Sequence, residues 1–189
     1  MKLLIMGPPG VGKGTQASLL KSKINIIHLS TGDILRAEII KESEIGLKAQ
    51  GFMNAGKLVP DKILLDIIGD RITQNDCKNG YLLDGFPRTL NQAVGLDEIL
   101  ESINQSLDFA ISLTANEQEL INRLINRGIE LGRSDDTPEI IKNRQNVYWE
   151  NTAPLLDFYR QKTLLREVDG LGEIFQITDG KIDNNIESL

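Results

Sequence analysis

Short apolar runs and longer amphipathic stretches alternate along the chain. The runs are typical of buried strands, whereas the stretches repeat apolar residues at the helical spacing of three and four. The clearest helical stretch is 61–73, in which Leu64, Leu65, Ile68 and Ile72 fall near one face. Strands separated by helical crossovers imply a parallel sheet with helices on both faces. The pattern therefore predicts an α/β fold.

The predicted sheet has five parallel strands. These strands lie at 2–6, 24–29, 81–83, 109–113 and 165–168. The predicted helices lie at 13–21, 33–40, 44–55, 61–73, 90–100, 116–127, 138–158 and 172–183, with a bend at Pro154 in the longest.

Two segments do not fit this alternation. Segment 30–59 is helical but no strand follows it directly, and segment 127–137 is polar and contains Gly128 and Gly132. We expect both segments to be insertions on the sheet. The predicted core then consists of 1–29, 60–126 and 138–189.

The composition disfavours or excludes several classes of function. The net charge of −6, from 21 Lys and Arg against 27 Asp and Glu, disfavours general binding to nucleic acid or to an anionic membrane. Cys77 is the only cysteine and His28 the only histidine, so neither an intrachain disulfide nor a four-cysteine zinc site is available. No apolar run approaches the ~18 residues of a membrane span, and we expect a cytoplasmic protein.

A glycine-rich segment, 7–15, follows the first predicted strand and opens the first helix. This is the strand–loop–helix context of a phosphate-binding P-loop. Its glycines allow the backbone to turn N–H groups towards an anion, and Lys13 adds a full positive charge. The strict pattern has Ser or Thr directly after the lysine. Here Gly14 intervenes, so Thr15 is only a candidate magnesium ligand.

A second candidate site follows the third predicted strand. The strand ends in Asp84, and in P-loop proteins an aspartate at this place holds Mg²⁺ directly or through water. The alternative is an aspartate that merely ends the strand in a turn. We predict that Asp84 holds Mg²⁺ through water.

Several motifs, in this order along the chain, resemble those of the adenylate kinases, which are P-loop nucleoside monophosphate kinases. The matching segments are 7–15, 29–36, 56–61, 84–88 with Gln92, and 132–136 with Arg144, and the match extends to 152–155. Together they cover nearly the whole chain. The set is therefore more specific than the P-loop alone.

The resemblance implies a P-loop NTPase fold in three parts. Segment 30–59 would be a mobile AMP-binding subdomain, and 127–137 a lid over ATP. Some relatives carry a longer lid, sometimes with four zinc-binding cysteines, so this chain resembles the short-lid form without zinc. The resemblance also implies Mg²⁺ with ATP; ATP, AMP and ADP as partners; and a monomer.

The resemblance also implies the roles of individual residues. The ATP-binding residues would be Gly10, Val11, Gly12, Lys13, Gly14, Thr15, Arg123, Arg127 and Gly172. The AMP-binding residues would be Thr31, Arg36, Lys57, Leu58, Val59, Gly85, Phe86, Pro87, Arg88, Gln92, Arg133 and Arg144. The catalytic residues would be Lys13, Arg88, Arg127, Arg133 and Arg144. Asp135 and Asp136 would order the lid arginines.

The implied reaction is MgATP + AMP ⇌ 2 ADP, in support of adenine nucleotide homeostasis. A phosphate monoester has a second pKa of about 6, so AMP is already an oxyanion at pH 7. No general base is needed, which suits a chain with one histidine. The difficulty is bringing two polyanions into line, and arginine forks suit that task.

Structural interpretations compete with several of these roles. Arg123 and Arg127, four residues apart, could simply share a solvated helix face. Thr31 could only cap the following helix. We expect His28 and Cys77 to be structural.

Other functions also compete with adenylate kinase activity. A uridylate or cytidylate kinase would tend to have Ala in place of Thr31 and Asn in place of Thr89, so both positions favour AMP. A GTP-dependent switch is disfavoured because the chain has no Asn-Lys-x-Asp signature. An inactive nucleotide sensor is disfavoured because no residue of the catalytic set is missing.

Overall fold

A computed structural model describes residues 1–133 and 135–183. Residue 134 of the predicted lid and residues 184–189 of the predicted core lie outside the described residues. The strands are β1 (Lys2–Met6), β2 (Ile27–Ser30), β3 (Tyr81–Asp84), β4 (Phe109–Thr114) and β5 (Leu165–Asp169). They form one sheet in the order β2-β3-β1-β4-β5, and every neighbouring pair is parallel. The predicted five-stranded parallel sheet is confirmed.

Helices connect the strands. They are α1 (Lys13–Ile24), α2 (Thr31–Ile40), α3 (Glu44–Asn54), α4 (Asp61–Ile72), α5 (Leu90–Ser102), α6 (Glu117–Leu131), α7 (Pro138–Val147), α8 (Leu155–Gln161) and α9 (Ile174–Gln176). A 3₁₀ turn lies at Asn75–Cys77, and π-helical turns lie at Tyr148–Thr152 and Ile177–Ile182. No helix among the described residues is both long enough and apolar enough to cross a membrane.

The central strand β1 shows why helices cover both faces of the sheet. Leu4 and Met6 belong to an apolar cluster that also contains residues of α4, α5 and α8. Leu3 and Ile5 belong to a second cluster, with residues of α1 and α6. Successive side chains of a strand point to opposite faces, so a strand apolar on both faces requires two helical layers.

The predicted boundaries of α1, β2 and α6 were wrong by three or four residues, each for a local reason. Helix α1 continues to Ile24 and ends at Asn25 in a left-handed conformation (φ 53°), so β2 starts at Ile27 rather than at 24. Helix α6 runs four residues beyond Arg127 and ends at Gly132, also left-handed (φ 60°). The first part of the predicted lid is therefore helical.

The long helix predicted at 138–158 is divided in the structure. Helix α7 ends at Val147, a π-helical turn follows, and α8 begins after Pro154. Proline lacks the N–H that the interior of a helix needs. The bend at Pro154 is thus confirmed, but the helix is interrupted six residues before it.

Candidate active site

A cavity of about 820 Å³ lies at the carboxyl ends of β1, β2 and β3. This is where ligands bind in open parallel sheets. Its wall contains eight cationic residues: Lys13, Arg36, Lys57, Arg88, Arg123, Arg127, Arg133 and Arg144. Asp33, Asp84 and Asp135 are the acidic residues on the same wall. The cavity is therefore strongly cationic within a chain whose net charge is −6.

The P-loop crosses one side of the cavity. Gly10 and Gly12 have φ values of 89° and 96°, a region that side-chain-bearing residues rarely adopt. A Cβ on Gly10 would lie 2.6 Å from the carbonyl oxygen of Leu120 on α6. Gly12 precedes α1, so the N–H groups of the loop and the positive end of the helix dipole face the same space.

Lys13 lies at the centre of the cationic wall. Its Nζ donates hydrogen bonds to the carbonyl oxygens of Gly7 (2.8 Å) and Pro8 (3.0 Å). Burial lowers the pKa of Lys13 to about 7, although the nearby Asp84 carboxylate acts in the opposite direction; the Arg88, Arg144 and Arg127 charges lower it further. A bound polyphosphate would stabilise the ammonium form and raise this pKa again.

We therefore expect the binding of a polyphosphate to take up a proton at pH 8. Without ligand, a Lys13 pKa of about 7 leaves the amine largely neutral at that pH, and the phosphates restore its charge. Calorimetric titration with MgATP in buffers of different ionisation enthalpy should give close to one proton per site. A Lys13→Arg variant that still binds should show almost none, since a guanidinium stays charged. Equal uptake by the two proteins would contradict the assignment to Lys13.

Two carboxylates organise the arginines between α6 and α7. Asp136, whose side chain is fully buried, accepts hydrogen bonds from Arg127 Nε (2.7 Å) and Nη2 (2.8 Å) and from Arg144 Nη1 (2.7 Å). Asp135 Oδ2 accepts from the same Arg144 nitrogen at 2.9 Å. A bidentate pair fixes both the position and the plane of a guanidinium. These contacts agree with the ordering role expected for Asp135 and Asp136.

Arg88 and Arg36 also line the cavity. Arg88 Nε donates to the carbonyl oxygen of Gly85 at 2.7 Å. Within the described residues this is the only hydrogen bond of the Arg88 side chain, so Nη1 and Nη2 are available to a ligand. Arg36 Nη2 pairs with Asp33 at 2.6 Å. The pKa of Arg88 is lowered by burial and also by the charge of Arg36, although Asp84 opposes this.

The amino-terminal end of α2 and the strip 57–59 contribute further residues to the cavity wall. Ser30 rather than Thr31 caps α2, because the Ser30 side chain accepts from the N–H of Asp33. Thr31 is buried, and its Oγ1 donates to the carbonyl oxygen of Asp84 at 3.3 Å. Lys57, Leu58 and Val59 line the cavity. The capping interpretation of Thr31 is therefore wrong.

Comparison with known proteins identifies the family. The model of the family described as adenylate kinase matches residues 5–164. An adenylate kinase of Leptospira biflexa serovar Patoc is 49% identical over 178 residues, which cover 94% of this chain and 96% of the relative. This chain belongs to the adenylate kinase family. Further relatives are the adenylate kinases of Bifidobacterium longum (47% identity, 99% and 100% coverage) and Methanocella arvoryzae (44%, 94% and 95%).

Most of the residues that the adenylate kinase resemblance singled out come together in the cavity. Those on its wall are Gly10, Val11, Gly12, Lys13, Gly14, Thr15, Thr31, Arg36, Lys57, Leu58, Val59, Asp84, Gly85, Pro87, Arg88, Arg123, Arg127, Arg133, Arg144 and Gly172. They come from stretches of the chain that are spread between residues 10 and 172, so the fold is what assembles them.

Two predicted residues are not on the wall. Phe86 is fully buried in the apolar cluster on one face of the sheet. Gln92 is also fully buried: its Oε1 accepts from the backbone N–H of Arg88 (2.7 Å), and its Nε2 donates to Asp61 (2.7 Å). The amide keeps a second N–H on Nε2, but the Gln92 side chain does not line the cavity. In this structure Gln92 holds the backbone of Arg88.

The donor set also fits magnesium, which commonly accompanies ATP in the adenylate kinase family. The Asp84 carboxylate and Thr15 line the same cavity, and a Cβ on Gly14 would lie 3.8 Å from Asp84 Oδ2. That oxygen also lies 3.1 Å from His28 Nε2, which orients the carboxylate. Mg²⁺ binds through one or two carboxylates together with substrate phosphates and water. The residues present match that pattern.

Two supporting residues, Thr152 and Gln145, received no role in the sequence analysis, although Thr152 lies in the matching segment 152–155. Thr152 Oγ1 donates to the carbonyl oxygen of Arg88 at 2.9 Å, and Gln145 Nε2 donates to that of Pro9 at 3.1 Å. Thr152 lies in the turn between α7 and α8, and Gln145 lies in α7. They contact loops that lie 64 and 136 residues away along the chain. No local sequence pattern predicts hydrogen bonds between residues so far apart along the chain.

Proposed function

We propose that this protein catalyses the reversible, magnesium-dependent transfer of the terminal phosphoryl group of ATP to AMP, giving two ADP, and so supports adenine nucleotide homeostasis. One observation carries the proposal. A single cavity is lined by a P-loop, by the arginine pair Arg36 and Arg88 from other segments of the chain, and by further arginines. A hydrolase or a switch needs the first phosphate site but has no use for the second.

The proposed roles divide the cavity into a donor half and an acceptor half. The P-loop, Lys13, Arg123 and Gly172 bind ATP. Thr31, Arg36, the strip 57–59, Gly85 and Arg88 bind AMP. Lys13, Arg88, Arg127, Arg133 and Arg144 surround the phosphoryl group during its transfer.

Charge placement does the chemical work in this mechanism. The AMP phosphate attacks as an oxyanion, so no side chain has to remove a proton. The arginines compensate the charge on the transferring group and hold donor and acceptor in line. Asp136 contributes by fixing the plane of Arg127 through two hydrogen bonds and by holding Nη1 of Arg144 before substrate arrives. Asp84, through water, and the further candidate Thr15 would hold Mg²⁺, which would neutralise charge on the donor phosphates when bound.

The proposal includes two closing parts, the AMP-binding subdomain 30–59 and the short lid 127–137. The core is then 1–29, 60–126 and 138–189. Closure excludes water, which would otherwise accept the phosphoryl group. Support comes from the arginines: Arg36 belongs to the first part, and Arg127 and Arg133 to the second. The arginines that bind AMP and surround the phosphoryl group are all present only when both parts are in place.

A coupled assay of ADP formation tests the function. With MgATP, the purified protein should form ADP in proportion to AMP, and omission of Mg²⁺ should abolish the reaction. ATP alone should be hydrolysed far more slowly. Replacing AMP by UMP or CMP should lower kcat/KM by at least about tenfold. A preference for UMP or CMP would instead indicate a pyrimidine nucleotide kinase, and no AMP-dependent ADP at all would exclude the enzyme.

The proposal extends to a monomer that works in the cytoplasm and binds neither nucleic acid nor membranes. Its support is the need for two parts to swing freely, the net charge of −6 and the absence of a cysteine pair. Size-exclusion chromatography with light scattering at micromolar concentration should give one species close to 21.0 kDa.

A further inference from the structure

A contact between the end of α3 and the middle of α7 has no part in the roles assigned above. Helix α3 ends at Asn54, and the next residue, Ala55, offers its carbonyl oxygen to the side chain of Asn143. The Nδ2–O distance is 2.8 Å, and 88 residues separate the two partners along the chain. The amide of Asn143 thus joins the proposed AMP-binding subdomain to the helix that follows the lid.

Close packing reinforces this hydrogen bond at the next residue. Gly56 has φ 64°, and a Cβ placed on it would lie 2.9 Å from Ile140 Cγ2 and 3.0 Å from Arg144 Cγ. The backbone at Gly56 therefore sits directly against α7. A polar contact and a packing contact coincide at one place, which defines a joint between Ala55–Gly56 and α7.

The joint connects two parts of the cavity wall, the strip 57–59 and Arg144. On one side, Lys57, Leu58 and Val59 leave Gly56 and line the cavity. On the other side, Arg144 follows Asn143 and is held by Asp135 and Asp136. The position of the strip 57–59 relative to Arg144 thus depends on the joint. Without the joint, the strip 57–59 would be free to move relative to Arg144.

We propose that Asn143 is a positioning residue for AMP, acting through the carbonyl of Ala55 to hold the strip 57–59 against α7 and Arg144. This inference rests on the proposed function, since it assigns AMP to that strip. When the hydrogen bond is lost, the AMP-binding subdomain spends more time away from α7. Apparent affinity falls in proportion to the competent fraction, and this loss falls on AMP rather than on ATP.

The test compares three variants by steady-state kinetics. Asn143→Ala removes the donor, and Asn143→Asp replaces it by a carboxylate that the carbonyl repels. Asn146→Ala is the matched control, because Asn146 is exposed on the same helix. We expect KM for AMP to rise about fivefold in Asn143→Ala, as for the loss of one hydrogen bond, and further in Asn143→Asp. KM for ATP and kcat at saturating AMP should stay within about twofold of the parent. The control should match the parent.

A fourth variant, Gly56→Ala, changes the partner of α7 in the same joint. Gly56→Ala places a methyl group against Ile140 and Arg144 and should also raise KM for AMP selectively. Thermal unfolding of each variant checks that the fold is retained. The inference is overturned if both Asn143 variants keep the parental KM for AMP, or if the KM values for AMP and ATP rise together. An inactive parent protein would instead refute the proposed function.

Discussion

Replacing Arg88 by lysine should lower kcat/KM for AMP by at least about 100-fold, an effect of about 3 kcal/mol that is typical of losing one donor to a transition-state charge. The reason lies in the geometry of the guanidinium. Its Nε is occupied by the carbonyl oxygen of Gly85 at 2.7 Å, and this leaves the two Nη groups as a fork for phosphate oxygens. Lysine keeps the charge but offers a single point, so the bidentate contact is lost.

The backbone of Arg88 is also held in place, which makes the substitution specific. Its N–H donates to Gln92 and its carbonyl accepts from Thr152, and neither contact depends on the side chain. Kinetics with AMP and ATP varied in turn measure the effect, and circular dichroism checks the fold. Arg160→Lys is the control, since Arg160 is exposed and pairs with Glu167 away from the cavity. A loss of less than tenfold in Arg88→Lys would contradict the proposed role.

Replacing Gly46 by alanine should destabilise the protein by about 3 kcal/mol, at the upper end of the usual penalty for overpacking. A Cβ at this position would lie 2.2 Å from the carbonyl oxygen of Glu38 and 2.6 Å from the backbone N of Ile39. Both obstacles are backbone atoms, so no side-chain rotation relieves the clash. Helices α2 and α3 must separate, and Arg36 on α2 moves with them. AMP affinity should therefore fall as well.

The same helix offers the matched control. Gly51 also lies in α3, but nothing stands within 4 Å of a Cβ placed there. Gly51→Ala should leave stability unchanged or raise it by up to about 1 kcal/mol, because alanine loses less entropy than glycine in a helix. Differential scanning calorimetry of both variants, with AMP titrations, separates the two cases. If Gly46→Ala melts at or above the parental temperature, the close approach of α2 and α3 is refuted.

The sheet was predictable because its strands are short apolar runs that alternate with amphipathic stretches. The local errors arose where a single residue ends an element. Asn25 terminates α1 in a left-handed conformation, and asparagine is one of the few residues other than glycine that adopt it readily. Nothing in the apolar pattern distinguishes Asn25 from a residue within the next strand. Gly132 did carry a recognisable signal, but the polar composition around it suggested a loop.

The site was predictable wherever its residues are consecutive. The P-loop and the turn around Asp84 each place several groups by their own backbone conformation, so their spacing reveals them. The opposite holds for Gln92. Its position in a motif suggested a ligand contact, whereas its amide bonds to Arg88 and Asp61, 31 residues away. Direction and partner of a buried side chain depend on the packing of α5 against the core.

By itself, the sequence determined the α/β class, the five parallel strands, the phosphate loop and the identity of the cationic residues, because these depend on local periodicity and on consecutive backbone conformations. Only the tertiary structure decided how those residues meet. Asp136 joins Arg127 to Arg144, and Asn143 holds Ala55, through contacts that no spacing encodes. The physical reason is that parallel strands gather distant loops at one edge of the sheet, and hydrogen bonds then select among the side chains brought there.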